Sequence, residues 1–114
     1  MGKRVQRGEV WWARLDEKRP VVILSGDGAS ELRAIVVVPP AITDIQGTAT
    51  ELKVGTDEGL LGEGVLRVAL PRSDRILCNW LVTLGEGDLV DRVGLLSPEK
   101  LRQLVEILRL PGLE

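Results

Sequence analysis

A chain of 114 residues with 44% hydrophobic and 28% charged side chains has the size of one folded domain, too short for two separate cores and too apolar for a disordered segment. A formal charge of −2 and a pI near 5.3 exclude binding of nucleic acid through bulk positive charge, so any such contact must be local. The absence of histidine removes the usual general acid and base, the commonest metal ligand, and every Ser-His or Cys-His nucleophile pair.

Other absences narrow the reading further. Cys78 is the only cysteine, which rules out an intrachain disulfide and a cysteine zinc site; among Ile76, Leu77 and Trp80 it reads as a small buried hydrophobe or a reactive thiol. Neither a glycine-rich phosphate loop nor a carboxylate cluster with metal spacing is visible, so neither a cofactor nor a metal is expected. No stretch approaches the roughly 20 apolar residues of a membrane span, and residues 1–4 lack a signal-peptide core. A cytoplasmic protein with no membrane contact is expected. The three tryptophans are the only aromatic residues, so the core must be aliphatic.

Residues 8–15 alternate, with Trp11, Ala13 and Leu15 on one face and Val10, Trp12 and Arg14 on the other, the pattern of a half-buried strand opened by Gly8. After the short link Asp16-Glu17-Lys18-Arg19-Pro20, the β-branched run 21–24 predicts a second strand, ending in the turn Ser25-Gly26-Asp27-Gly28 and pairing with the first as a hairpin. A third strand, 32–38, stops at Pro39-Pro40, which lack the amide donors of a central strand, and 41–47 follow as a polar loop. Residues 50–54 and 65–70 predict a long hairpin around the acidic, glycine-rich segment 55–64, whose charges read as solvated. Residues 76–84 predict a last strand, and 89–93 one helical turn. A definite helix begins at Ser97, an N-cap followed by Pro98, with Leu101, Leu104, Val105 and Leu108 at i, i+3, i+4 and i+7, and stops at Pro111-Gly112. About six strands and one C-terminal helix make a small α+β or mainly β domain over 1–114, an antiparallel barrel closed by the helix.

The chemistry-bearing residues lie around the first link. Arg19 stands before proline, which holds its backbone extended, at the mouth of an apolar strand. A guanidinium grips phosphate with two prongs and keeps its charge, so Arg19 fits a phosphate site; the plainer alternative is a strand-capping arginine paired with Asp16 or Glu17. Cations cluster at Arg4, Arg7, Arg14, Lys18 and Arg19, and again at Arg72 and Arg75, where a phosphate grip competes with a solvated turn. Trp11 and Trp12 point to opposite faces, so at most one belongs to the core; the other packs at an interface or stacks on a base.

The order of these segments resembles the MazF/PemK family of toxins. Arg7-Gly8-Glu9-Val10-Trp11 is similar to its opening R-G-[DE]-[VI]-[WY], Arg19-Pro20-Val21-Val22 to its R-P-[AV]-[VL], and Ala41-Ile42-Thr43 to its threonine loop. Trp80 to Leu84, Asp88-Leu89, Arg92-Val93-Gly94 and Leu96 to Leu101 resemble its C-terminal half in the same order. Three features depart from the pattern: the first link is much shorter than the loop many members use to cover the site, the threonine loop carries Pro39-Pro40, and 55–75 are expanded.

The resemblance implies an SH3-like antiparallel barrel with a C-terminal helix that forms a homodimer, binds single-stranded RNA in a groove across it, and is inhibited by an antitoxin in that groove. It implies a sequence-selective, metal-independent endoribonuclease in which the 2′-hydroxyl attacks the adjacent phosphate, with Arg19 and Thr43 carrying the chemistry. Arg14, Lys18, Asp44, Arg72 and Arg75 are the matching candidates for RNA contact. The proton acceptor stays open among Asp16, Glu17, Asp44 and water. The alternative is a non-catalytic barrel of the same architecture acting on a protein target, as the CcdB-type gyrase poisons do, or binding a peptide.

Overall fold

A computed structural model describes residues 5–25, 31–40, 49–69 and 81–109. The expected candidates Thr43, Asp44, Arg72 and Arg75, with Cys78 and Trp80, lie outside these residues. Within them the chain is mainly β: β1 (Glu9–Arg14), β2 (Lys18–Ile23), β3 (Leu32–Val36), β4 (Ala49–Val54), β5 (Gly64–Ala69), β6 (Leu81–Leu84) and β7 (Leu89–Leu95) precede a single helix, α1 (Pro98–Arg109). Five strands form an antiparallel sheet in the order β6-β3-β2-β1-β7, and β4 pairs with β5 as the expected hairpin. A two-way bridge joins the two sheets, Val38 N–H to the Val65 carbonyl at 2.9 Å and Val65 N–H to the Val38 carbonyl at 2.8 Å. The chain thereby continues from the β3 end of one sheet into the hairpin of the other, the barrel-like arrangement predicted from the sequence.

Both faces of the large sheet are buried. One face, with Val10, Val22 and Ile35, packs on Leu52 and Leu66 of the hairpin and on Leu104 and Leu108 of α1. The opposite face carries Trp11, Ala13, Val21, Ile23, Ala34 and Val36. Trp11 belongs to the core and Trp12 is only half-buried, so one tryptophan is core, within the limit read from their alternation.

Strand β2 begins three residues earlier than predicted and contains Pro20. The Pro20 carbonyl accepts from Val37 N–H at 2.9 Å, so the position where its own amide would donate faces the same neighbour, just past the last β2–β3 ladder pair, Val21 with Val36. Proline has no N–H to return that bond to Val37, so the β2–β3 ladder stops at this pair.

Residues 89–93 are not a helical turn but the start of β7. The pairing with β1 steps from Gly94 to Arg92 and from Asp91 to Leu89, which leaves Val93 and Val90 as bulge residues. Two bulges turn the period of two into apolar positions 89, 90 and 93, a spacing that imitates a helix. The edge between β1 and β7 joins two of the motifs noted in the sequence. Glu9 is buried, accepts from the Gln6 amide and pairs with the Arg92 guanidinium of β7.

The acidic segment 55–64 is also more ordered than a solvated run. Glu58 is buried, accepts from Gly55 N–H at 2.8 Å, and pairs with Lys100 Nζ at 2.8 Å, tying the loop to α1. Glu63 accepts from Thr56 Oγ1 at 2.8 Å and Thr56 N at 3.1 Å; these bonds, the hydroxyl first, hold its carboxyl below the ordinary carboxylate range. A depressed pKa gives stability that is present above the unfolded value and lost as pH falls through the folded one. Thr56→Val removes the hydroxyl donor, and the Glu63 titration followed by NMR is expected to move up toward the ordinary carboxylate range.

Helix α1 starts as the sequence predicts, with Ser97 Oγ accepting from Lys100 N–H at 3.1 Å. Ser97→Ala is expected to cost about 1 kcal/mol in urea unfolding, with an unchanged denaturant slope.

Candidate functional site

The three residues between β1 and β2 close as a tight turn, in which Leu15 N–H donates to the Glu17 carbonyl at 3.2 Å. Two residues later Arg19 lies within β2, opposite Ala13, and therefore on the face shared by Ala13 and Val21. At this end of the face a cleft of about 310 Å³ opens, lined by Leu15, Asp16, Arg19, Val36 and Val82. Its walls are apolar, and its two charged groups are one guanidinium and one carboxylate.

Arg19 Nη2 lies 2.8 Å from Glu17 Oε1, and the two side chains are 40% and 70% exposed. Arg19 thus pairs with the preceding acid, as in the strand-capping reading, and also lines a cleft. An exposed pair of this kind contributes at most about 1 kcal/mol. A phosphate, which accepts two parallel guanidinium bonds, can displace the carboxylate at small cost.

The other cations of the hairpin do not share that cleft. Lys18 and Arg14 are register partners on the Trp12 face, where Lys18 Nζ sits 5.4 Å from the Trp12 ring centroid and 3.5 Å from Asp91 Oδ2. Trp12, Pro20, Val37 and Leu60 help line a second, mostly apolar cleft of about 260 Å³ on that side. The hairpin therefore presents Arg19 on one face and Arg14 with Lys18 on the other.

Two ion pairs with a buried carboxylate were not read from the sequence. Glu9 with Arg92 and Glu58 with Lys100 are separated by 83 and 42 residues, and a charge inside an acidic or alternating run carries no local sign of burial. Among the described residues, no group of three or more Asp, Glu, Cys or His side chains could hold a metal ion, and no helix is long and apolar enough to cross a membrane.

Residues 6–110 match the family model of the PemK-like, MazF-like toxins of type II toxin–antitoxin systems. The chain is 32% identical over 102 residues to a probable endoribonuclease MazF5 of Mycobacterium tuberculosis, an alignment covering 86% of this chain and 84% of the relative. In three dimensions it resembles a mycobacterial endoribonuclease solved in complex with its cognate antitoxin, with a TM-score of 0.65 at 19% identity, covering 98% of this chain and 97% of that one. It also resembles the Mycobacterium tuberculosis toxin MazF-mt6, with a TM-score of 0.66 at 21% identity over 93% of this chain and 98% of the other.

Proposed function

The chain belongs to the PemK-like, MazF-like toxin family of type II toxin–antitoxin systems, and from that membership we propose that it is a sequence-selective endoribonuclease cleaving single-stranded RNA without a metal. The observation that carries the proposal is Arg19, set by the tight turn and by Pro20 at the rim of a cleft, with a counter-ion that a phosphate can replace.

In the proposed reaction a ribose 2′-oxygen attacks the adjacent phosphorus, the bond from phosphorus to the 5′-oxygen breaks, and a 2′,3′-cyclic phosphate and a 5′-hydroxyl result. The 2′-proton passes to a carboxylate or water, and the departing 5′-oxygen takes a proton from solvent. Arg19 binds the non-bridging oxygens and stabilises the extra charge of the phosphorane. Thr43, the matching position of the family's threonine loop, is assigned a hydrogen bond to the same phosphate. With no histidine in the chain, positioning and electrostatics carry most of the rate. Arg14 and Lys18 serve as backbone contacts for RNA that wraps the hairpin, with Asp44, Arg72 and Arg75 as further candidates. The protein acts as a cytoplasmic homodimer held in check by a cognate antitoxin, a pairing supported by the solved relative bound to its own antitoxin.

The test is to incubate the protein with single-stranded RNA in excess chelator and to analyse the ends. Cyclic-phosphate and 5′-hydroxyl ends are expected. Inhibition of gyrase without any RNA cleavage would overturn the proposal in favour of a protein-directed toxin.

A further inference from the structure

The turn that supports Arg19 carries two adjacent carboxylates, and the structure gives them different surroundings. Glu17 takes the guanidinium, while Asp16 lines the cleft and, among the described residues, has no hydrogen-bond or ion-pair partner. The Leu15 N–H bond to the Glu17 carbonyl closes the turn around Asp16, so this carboxylate sits on a rigid support rather than on a long loop.

We infer that Asp16 reads the nucleobase next to the phosphate held by Arg19, and that the base it selects is guanine. The inference rests on the nuclease reading above. The cleft volume of about 310 Å³ lies at the small end of ligand pockets, room for one planar base. Leu15, Val36 and Val82 offer apolar surface on which such a ring lies out of water. A carboxylate is an acceptor with no donor, so it recognises N–H groups. Guanine alone presents two adjacent donors on one edge, N1–H and the N2 amino group, which match the two oxygens of Asp16. Uracil offers one N–H between two carbonyls that repel the carboxylate, while adenine and cytosine offer an amino group beside a ring acceptor. Selection comes from the good pairing and equally from the repulsion of the wrong edge.

The test uses 2′-O-methyl hexanucleotides, which cannot be cleaved, of uridine carrying a single guanosine, inosine or adenosine, titrated against the wild type and Asp16→Asn by fluorescence anisotropy. Cleavage sites of both proteins in a natural RNA pool are sequenced in parallel. Wild type is expected to favour guanosine over inosine, which lacks the N2 amino group, and over uridine by on the order of tenfold. It should also cut next to guanosine. Asp16→Asn should lose that ranking. The same base ranking in both proteins would overturn the inference. So would a uniform fall in kcat at every site with loss of the acidic limb of the pH profile, which makes Asp16 the proton acceptor instead. Guanosine-selective binding without cleavage refutes the nuclease reading alone, and cleavage without guanosine preference refutes the assignment of Asp16 alone.

Discussion

Arg19→Ala is expected to lower kcat/KM on single-stranded RNA by roughly 100- to 1000-fold, the loss of about 3–4 kcal/mol of transition-state stabilisation. The magnitude follows from the chemistry left in the chain, because without histidine no other described side chain in the cleft bears a positive charge toward a phosphorane. Folding should change little. The side chain is 40% exposed and its pair with Glu17 is a surface pair, so the free energy of urea unfolding should fall by no more than about 1 kcal/mol. Arg19→Lys keeps a charge and loses the two-pronged geometry, and should recover only part of the rate.

Glu17→Gln supplies the contrast. If Arg19 only anchors the strand through Glu17, removing either partner should have the same small effect on stability and none on cleavage. If Arg19 binds the phosphate, Arg19→Ala lowers cleavage far more than Glu17→Gln does. Equal cleavage by wild type and Arg19→Ala would sink the assignment.

The sequence made the Arg19 side of the site visible because every signal there is local. The alternation of residues 8–15, the Arg19-Pro20 step and the short link together define a hairpin, and a hairpin's register decides which face Arg19 occupies. Ser97 and Pro98 likewise announce their helix within one turn. What escaped reading depends on partners distant in the chain. Strand β7 looked helical because its bulges exist only in relation to β1, and Glu58 looked solvated because Lys100 is 42 residues away. Arg14, Lys18 and Arg19 formed one cluster by number, yet Arg19 falls on the opposite face from the other two. Nearness in sequence cannot separate residues that a pleated strand turns to opposite sides.

Gly94→Ala should be the most damaging small substitution in the described part of the chain, costing about 2–4 kcal/mol in urea unfolding. Gly94 belongs to the Arg92-Val93-Gly94 segment, which the family resemblance singled out, and the structure gives it a packing role. A Cβ there would lie 2.2 Å from the Glu58 carbonyl oxygen and 3.1 Å from its carbon. Both contacts are backbone, so no side chain can swing aside. Neither partner is free to retreat: Gly94 is paired with Val10 in the β1–β7 ladder, and Glu58 is held by Gly55 N–H and by Lys100. The next residue of the loop, Gly59, has φ +96° and passes so close to β7 that its own Cβ would meet the Val93 carbonyl at 2.8 Å. The loop can therefore yield only by separating from β7 and straining the tie to α1. Gly62→Ala, four residues beyond Glu58 in the same loop, meets nothing within 4 Å and should stay within about 0.5 kcal/mol of wild type. A Gly94→Ala protein as stable as Gly62→Ala would show that the loop does not rest on β7.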